Sequence, residues 1–414
     1  MSHTPLPKHL LHKHIRRKSR RKEHLVGASI AALGLIAFAF SAFSYASVVA
    51  QTPKEVSSRL IPTPTPYYQN IALMGYGGGD HDGGALTDSI MVARVDDRAK
   101  KIFLISVPRD LWVELPFNDN NGNPVGTKIN AAYALGLDDN YYSNKPEEYS
   151  EKNGGGGKLA KYALKQVIGD DINHFVSVSF KAFETLVDSL GGITITRTTT
   201  FSDPWYPVDG KEKDTCGKSE DDLKAIEATM SGYLKEQEFK CRYETITFEA
   251  GTKTLDGKTA LKYARSRHSE TEGNDFSRSQ RQRQVVLAIK DKLLSFSSIP
   301  AIIDLAGKMF KYVDTDYKAT DIPGLISLFM AKKDYEVDAI ALTDQNVLKN
   351  WTGPNGEYAL VPQNKNRDFL LIQEWLKDRY WGMSEASATA RFDLIANPAT
   401  PTTLQKDKSI KAEK

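Results

Sequence analysis

The chain has 414 residues, of which 40% are hydrophobic and 26% charged, so it is long enough for one large globular domain or two ordinary ones. Its net charge of +3 arises at one end, because residues 1–24 carry eight Lys or Arg against a single acid, Glu23. Since the remainder is not basic, nucleic acid is excluded as a partner.

Residues 25–50 form an uncharged, apolar run directly after the basic residues 16–22. As a helix this run would span about 39 Å, more than the hydrocarbon core of a bilayer. The positive-inside rule then predicts a single-pass cell-membrane protein, with residues 1–24 cytoplasmic and the rest extracytoplasmic. The alternative is a signal peptide cleaved near Ala50, although its apolar region is usually only about 7–15 residues. The Pro- and Thr-rich residues 51–67 are interpreted as a stalk.

Strand and helix patterns alternate beyond the stalk. Strands are predicted at 70–74, 89–95, 101–107, 174–180 and 193–195, and helices at 159–168, 181–190, after Asp256, from Ser277, and at 369–376. This alternation predicts an α/β fold, a layered α-β-α domain with a central mixed sheet, over residues 68–380. Residues 381–414 become small, polar and proline-containing, which favours a disordered tail.

The two cysteines of the chain, Cys216 and Cys241, both follow the predicted anchor. In an oxidising compartment such a pair is more often bridged than free or metal-bound. We therefore expect a disulfide that closes an insert at residues 203–243.

Acidic and cationic side chains occur together in three short runs. Thr87-Asp88-Ser89 begins one predicted strand, and Ser-Val-Pro-Arg109-Asp110 ends another, at the carboxyl end where ligands of α/β sheets bind. The third run leads from Arg265 into the helix that starts at Ser277. An ordinary salt bridge at the sheet edge is the alternative for Arg109 and Asp110.

The helix that starts at Ser277 places cationic side chains beside an apolar surface. Arg278, Arg281, Gln282 and Val285 are spaced i, i+3, i+4 and i+7 and share one helix face. A solvated charged face is the usual explanation for such a pattern. The arginines outnumber the single neighbouring carboxylate, Asp275. The alternative explanation is therefore that convergent guanidinium groups bind an anion.

A glycine-rich segment, residues 75–84, precedes Asp88. Asp80, Asp82 and Asp88 could together donate oxygen ligands to Mg²⁺, and a flexible loop without a ligand is the alternative. The segment lacks the third glycine and the helix start of a dinucleotide fingerprint. Gly154–Lys158 lacks the Ser or Thr of a phosphate loop, and no G-x-S-x-G elbow is present, which excludes ordinary serine hydrolases.

Taken in order, these runs resemble the LytR-CpsA-Psr family of bacterial cell-envelope enzymes. The matching stretches are Leu-Thr-Asp-Ser-Ile-Met-Val at 86–92, Leu-Ile-Ser-Val-Pro-Arg-Asp at 104–110, Lys-Ile-Asn-Ala-Ala-Tyr at 128–133, Asp-Ser-Leu-Gly-Gly-Ile at 188–193, Leu-Asp-Gly-Lys-Thr-Ala-Leu-Lys-Tyr-Ala-Arg-Ser-Arg at 255–267, and Asp275 to Gln282. The resemblance covers about residues 70–294.

The resemblance implies a phosphotransferase that moves a glycopolymer from a polyprenyl-diphosphate carrier to a peptidoglycan hydroxyl. The polyprenyl tail would lie in an apolar tunnel between sheet and helices, and the cofactor would be Mg²⁺ or Mn²⁺. The implied catalytic residues are Asp88, Arg109, Arg267 and Asp275, the implied metal ligands are Asp80, Asp82 and Asp88, and the implied diphosphate contacts are Arg109, Arg265, Arg267, Arg278, Arg281 and Gln282. His268 is interpreted as a loop residue.

The mechanism expected from this resemblance is in-line attack by the acceptor hydroxyl, with polyprenyl phosphate leaving. Two other classes remain as alternatives. One is a non-catalytic envelope regulator or lipid-binding protein on the same fold. The other is a metal-dependent pyrophosphatase that uses Asp80, His81, Asp82 and Asp88.

Overall fold

The computed structural model describes residues 67–396, except 79–83, 143, 231, 274, 296–298 and 365. The basic segment, the predicted membrane span at 25–50 and nearly all of the stalk lie outside these residues. In the described part of the chain, no helix has the length and apolar composition of a membrane span.

The described residues alternate between strands and helices, as predicted. The strands are β1 (Tyr68–Tyr76), β2 (Thr87–Asp96), β3 (Lys101–Ser106), β4 (Trp112–Asn118), β5 (Pro124–Lys128), β6 (His174–Ser179), β7 (Ile193–Arg197), β8 (Phe201–Pro207), β9 (Tyr243–Phe248), β10 (Gly251–Leu255), β11 (Val313–Thr315), β12 (Glu336–Ala341), β13 (Leu348–Thr352) and β14 (Tyr358–Pro362). The helices are α1 (Ile129–Gly136), α2 (Gly155–Ile168), α3 (Phe180–Ser189), α4 (Glu220–Thr229), α5 (Gly232–Gln237), α6 (Gly257–Arg265), α7 (Asp275–Leu294), α8 (Ile299–Met309), α9 (Ile322–Ala331), α10 (Leu370–Tyr380) and α11 (Glu385–Ala396).

A mixed sheet occupies the centre of the fold, with strand order β11-β6-β1-β2-β3-β12. β1 pairs with β6 in parallel and with β2 antiparallel, and β3 pairs antiparallel with β2 and parallel with β12. Because β1, β3 and β6 point the same way and β2 the opposite way, the carboxyl ends of the first three meet the amino end of β2 at one edge. The prediction of an α/β fold with a central mixed sheet is confirmed.

The sheet is apolar on both faces, and successive residues of each central strand belong to different cores. In β1, Ile71 packs into the core formed with α3, α6, α7, α8 and α9, whereas Ala72 packs into the core formed with α1, α2, α10 and α11. In β2 the same alternation separates Ala93 from Val92. Side chains alternate in this way along any strand, so strands buried on both faces read as continuous apolar runs.

An insert between β8 and β9 carries the disulfide. Cys216 and Cys241 are bonded, with their Cα atoms 5.6 Å apart, so the pairing predicted from the sequence is present. Within the insert, Ser219 caps α4 through a capping box with Asp222. The disulfide joins the two ends of the α4–α5 segment, close to the start of β9.

The predicted disordered tail is wrong for residues 385–396. These residues form α11, whose buried side chains Ala388 and Phe392 are four residues apart and pack into the second core. The indole of Trp375 in α10 donates a hydrogen bond to the Thr389 hydroxyl at 3.2 Å. Small residues on this helix therefore allow close packing against α10, which composition alone does not reveal.

Candidate active site

The predicted acidic and cationic residues converge at the edge where the ends of β1, β2, β3 and β6 meet. Asp88 is the second residue of β2, and Arg109 follows β3 after the Pro108 turn. Behind them, the Asn130 amide donates to the Arg109 carbonyl at 3.2 Å, so the start of α1 holds the Arg109 backbone. The 128–133 motif thus supports the site from behind, and its side chains do not line the cavity described below.

Asp88 and Arg109 form a direct ion pair. Arg109 Nη1 donates to Asp88 Oδ1 at 2.6 Å, and both side chains remain partly exposed, 28% for Arg109 and 39% for Asp88. Arg109 Nε also lies 3.5 Å from Asp110 Oδ2, while Lys128 Nζ donates to Asp110 Oδ1 at 2.7 Å. Burial lowers the pKa of Arg109, but the Asp88 and Asp110 carboxylates outweigh it and raise that pKa, so the guanidinium stays charged.

A cavity of about 430 Å³ opens between the sheet and helices α3, α6 and α7. This volume lies in the usual range for small-molecule sites. Its polar residues include Asp88, Arg109, Arg265, Arg267, Arg278 and Gln282. The rest of the lining is largely apolar and includes Leu73, Met91, Val176, Phe183, Val286 and Ile289. The cavity therefore combines guanidinium groups with a hydrocarbon surface.

Helix α7 shows how the chemistry of the cavity changes with depth. Arg278, Gln282, Val285 and Ile289 all line the cavity and follow one another along a single helix face. From Arg278 to Ile289 the helix advances about 16 Å. Its first turn contributes the cation Arg278, its second turn the amide Gln282, and the turns after that aliphatic side chains. Ser89 Oγ donates to Gln282 Oε1 at 3.2 Å, which fixes this helix to β2 at the polar end.

Asp203 organises the turn that presents Arg267, and the sequence analysis did not identify it as a site residue. Its carboxylate is fully buried and accepts hydrogen bonds from the Ser266 hydroxyl at 2.7 Å and from the amides of Arg267 and His268 at 2.9 and 3.1 Å. Burial opposes ionisation, but these hydrogen bonds outweigh it and hold the Asp203 pKa below its usual value. The available signal was an acid two residues after Phe201, on the inward face of a strand.

We predict that Asp203→Asn lowers the free energy of unfolding by about 1.5–3 kcal/mol at pH 7, because charge-assisted hydrogen bonds are lost. A carboxyl whose pKa is depressed on folding stabilises the protein above its unfolded pKa and loses that contribution as pH falls through the folded value. The difference between wild type and variant should therefore shrink below about pH 4. Chemical denaturation at several pH values measures it. Asp209→Asn, at an exposed position of the same insert, should change little.

Arg281 was predicted to contact the substrate, and the structure contradicts this prediction. Its side chain is 1% exposed and does not line the cavity. The guanidinium donates to the carbonyls of Tyr263 at 3.0 Å, Glu272 at 2.9 Å and Ser266 at 2.5 Å. Arg281 therefore joins α6 and the segment after it to α7, through these carbonyls and through an ion pair of its Nη1 with Glu272 Oε2 at 3.5 Å.

The remaining predicted residues divide by position. Arg265 packs over the Phe180 ring, 4.2 Å from its centroid, and His268 lies in the coil after α6 and lines the cavity. Asp275 begins α7, but its side chain, like Asp80 and Asp82, is outside the described part of the chain.

At the cavity, the described residues include no group of three His, Cys or carboxylate ligands close enough to hold one metal ion. Such a group occurs elsewhere, at Asp214, Cys216 and Cys241, but the two sulfurs are bonded to each other. Mg²⁺ is commonly bound through one or two carboxylates together with phosphate oxygens of a substrate. The partly exposed Asp88 carboxylate, beside several guanidinium groups, fits a site of that kind.

Comparison with known proteins places this geometry in context. A family model, the LytR_cpsA_psr family, matches residues 43–370. Among similar curated proteins are two named polyisoprenyl-teichoic acid–peptidoglycan teichoic acid transferases. TagV of Bacillus subtilis is 26% identical over 292 residues, which cover 70% of this chain and 60% of TagV. TagU of Bacillus licheniformis is 26% identical over 314 residues, which cover 73% of this chain and 79% of TagU.

The fold is also found in solved structures. The crystal structure of B. subtilis TagV superposes with a TM-score of 0.50 at 24% identity and covers 76% of this chain and 97% of the TagV chain in the crystal. This likeness shows a shared fold. By sequence, the chain spans about 60% of the length of TagV.

Proposed function

The chain belongs to the LytR_cpsA_psr family, as its motifs predicted, and from this premise we propose that it transfers a glycopolymer to peptidoglycan. The donor in this proposal is a glycopolymer linked through a diphosphate to a polyprenyl carrier. The products are polymer joined to a peptidoglycan hydroxyl through a phosphodiester, and polyprenyl phosphate. The names of the relatives TagV and TagU support the transferase class.

One observation carries the proposal: a single cavity has several arginines at its polar end and an aliphatic lining along its depth. Guanidinium groups bind phosphate oxygens through paired hydrogen bonds. Aliphatic walls stabilise a hydrocarbon tail by about 0.8 kcal/mol for each methylene removed from water. A ligand that is anionic at one end and hydrocarbon at the other matches both parts, and a polyprenyl diphosphate is such a ligand.

In the proposed reaction, the acceptor hydroxyl oxygen attacks the phosphorus next to the sugar. A new P–O bond forms, the bridging P–O bond to the second phosphate breaks, and the electron pair leaves with polyprenyl phosphate. Arg109, Arg278 and Arg267 offset the charge on the phosphate oxygens. Asp88 positions Arg109 through their 2.6 Å hydrogen bond. In this proposal Asp88 also takes the hydroxyl proton.

Mg²⁺ or Mn²⁺ is proposed at Asp88, with Asp80 and Asp82 as further ligands, and would neutralise diphosphate charge when bound. We also propose that residues 25–50 anchor the protein in the cell membrane as a single span, with its N-terminus cytoplasmic. The cavity would then work outside the cytoplasm, where a lipid carrier supplies the activated phosphate.

The test uses the full chain extracted from membranes, a polyprenyl-diphosphate glycan donor and a peptidoglycan acceptor. We expect polyprenyl phosphate to be released only when acceptor is present, in step with labelled polymer joined to peptidoglycan. Binding of donor without release would instead indicate a regulator or lipid-binding protein. Release at the same rate with water alone would indicate a pyrophosphatase. Chelation should lower the transfer rate, and added Mg²⁺ or Mn²⁺ should restore it.

A further inference from the structure

A second, smaller cleft adjoins the first cavity at the Asp88–Arg109 pair. Its volume is about 80 Å³, far below that of the first cavity. The two share five residues, which therefore lie where they meet: Asp88, Ser89, Arg109, Arg278 and Gln282. A phosphate held by these shared groups would be accessible from both cavities.

The residues that line only the second cleft are polar and apolar in similar number, in contrast to the largely aliphatic wall of the first. They include the hydrogen-bonding side chains of Ser279, Thr343, Asp344 and Gln345, and the ring of Tyr358. Tyr358 is 52% exposed, and its hydroxyl donates to Asn350 Oδ1 at 3.0 Å, which fixes the ring. Hydroxyl, amide and carboxylate groups beside an exposed aromatic ring form a surface suited to a hydroxyl-rich ring compound such as a sugar.

The loop that carries Asp344 and Gln345 is fixed from within. The buried Asn346 accepts from the Thr343 amide at 2.8 Å and donates to the Ala341 carbonyl at 2.8 Å and to Glu385 Oε1 at 3.1 Å. Helix α11 therefore supports this loop from behind. Asp344 and Gln345 remain exposed at its tip.

The β13–β14 hairpin, which carries Tyr358, is bonded through its backbone to the segment that follows Arg109. The Leu360 amide donates to the Asp110 carbonyl at 2.9 Å, next to Arg109 in the chain. Leu111 and Leu360 also form a parallel β-bridge. The backbone that carries Tyr358 is thus fixed relative to the backbone that carries Arg109, and such preorganisation is what a positioned acceptor requires.

We propose that the second cleft binds the acceptor, a saccharide whose attacking hydroxyl approaches the phosphate from this side. The proposal rests on the function proposed above. In-line displacement places the nucleophile opposite the leaving group. With the leaving polyprenyl phosphate in the first cavity, the acceptor enters from the second. Tyr358 stacks against its ring, and Thr343, Asp344 and Gln345 bind its hydroxyls.

The experiment compares wild type, Tyr358→Ala, Tyr358→Phe and the double variant Asp344→Ala/Gln345→Ala in the full chain. Transfer is measured against the concentrations of donor and of a peptidoglycan oligosaccharide, and direct binding of that oligosaccharide is measured by saturation-transfer NMR. Tyr358→Ala should raise the acceptor KM about tenfold, as expected for one lost aromatic stack, and leave the donor KM unchanged. Tyr358→Phe keeps the ring but loses its hydrogen bond to Asn350, so its acceptor KM should lie between those of wild type and Tyr358→Ala. Tyr312→Ala, at an exposed tyrosine away from the cleft, is the matched control and should leave both KM values unchanged.

The outcomes separate the two proposals. Wild-type transfer with an unchanged acceptor KM in both Tyr358→Ala and the double variant overturns the acceptor cleft and leaves the proposed function standing. A raised donor KM in place of the acceptor KM would assign the cleft to the donor's own sugar and also overturns the inference. If wild type transfers nothing, the proposed function fails, and oligosaccharide binding that is equal in wild type and Tyr358→Ala then overturns the cleft as well.

Discussion

Replacing Arg109 by Ala should lower kcat/KM for glycopolymer transfer by about 10²–10³, the usual effect of removing one group that stabilises transition-state charge. Arg109, like Arg278, lines both cavities, and its two carboxylate partners raise its pKa and keep it charged. The variant removes a positive charge where the transferred phosphate is proposed to lie. Initial rates with a labelled donor and excess acceptor measure the effect.

Two further variants sharpen this test. Arg109→Lys keeps one charge but loses the planar fork that binds two oxygens, so its rate should lie between those of wild type and Arg109→Ala. Arg98→Ala removes an exposed arginine from the β2–β3 turn at the opposite end of the sheet, and its rate should equal wild type. Wild-type rates for Arg109→Ala would rule out its assignment to the phosphate.

Filling the apolar part of the cavity should weaken binding of long-tailed donors at least tenfold, which corresponds to about 1.4 kcal/mol. Val286 lines the cavity from α7, so Val286→Trp places an indole where the tail is proposed to lie. Burying one methylene is worth about 0.8 kcal/mol, so excluding even two would account for this loss. Affinity for donors of increasing prenyl length, measured by calorimetry in detergent, gives the comparison.

The same series contains its own control. A water-soluble diphosphate with a very short tail reaches only the arginine end and should bind Val286→Trp as well as it binds wild type. Asp291→Trp puts the same bulky side chain on an exposed position of α7 and should leave both affinities unchanged. Equal affinity of wild type and Val286→Trp for the long-tailed donor would show that the tail lies elsewhere.

The central sheet could be predicted because its strands are apolar on both faces and stand between clear helix signals. Asp256 is an example of a local signal that holds in the structure, where its carboxylate accepts from the Thr259 amide at 2.7 Å and caps the amino end of α6. Such hydrogen bonds join residues three apart, so the sequence shows both partners. The α11 helix was missed because its stability comes from contacts with α10, which no local pattern contains.

In the candidate site, too, residues with local sequence signals could be predicted, and residues positioned by distant contacts could not. Arg278 and Gln282 were predicted correctly as neighbours on one helix face, and both line the cavity. Arg281 lies about 60° away from Arg278 around the helix, so spacing alone did not separate it from that face. Its position is decided by carbonyls after α6, and Asp203 likewise acts on residues more than sixty positions away. Hydrogen bonds between distant segments carry no signal in the spacing of either segment.

Along the axis of α7, the side chains that line the cavity change from polar to aliphatic. In a surface helix, by contrast, polar and apolar side chains lie on opposite sides of the helix. The boundary between the polar and the aliphatic lining, between Gln282 and Val285, therefore sets the depth at which a ligand can bind. A ligand with a charged head and a hydrocarbon tail is held at one depth, because sliding it by a turn would expose methylenes or bury charge. Inserting four residues into α7 at this boundary would add about one turn, so the side chains would keep nearly the same directions. The boundary would move by about 6 Å along the helix axis. The site therefore depends on the number of residues between the polar and aliphatic positions of α7, as well as on their types.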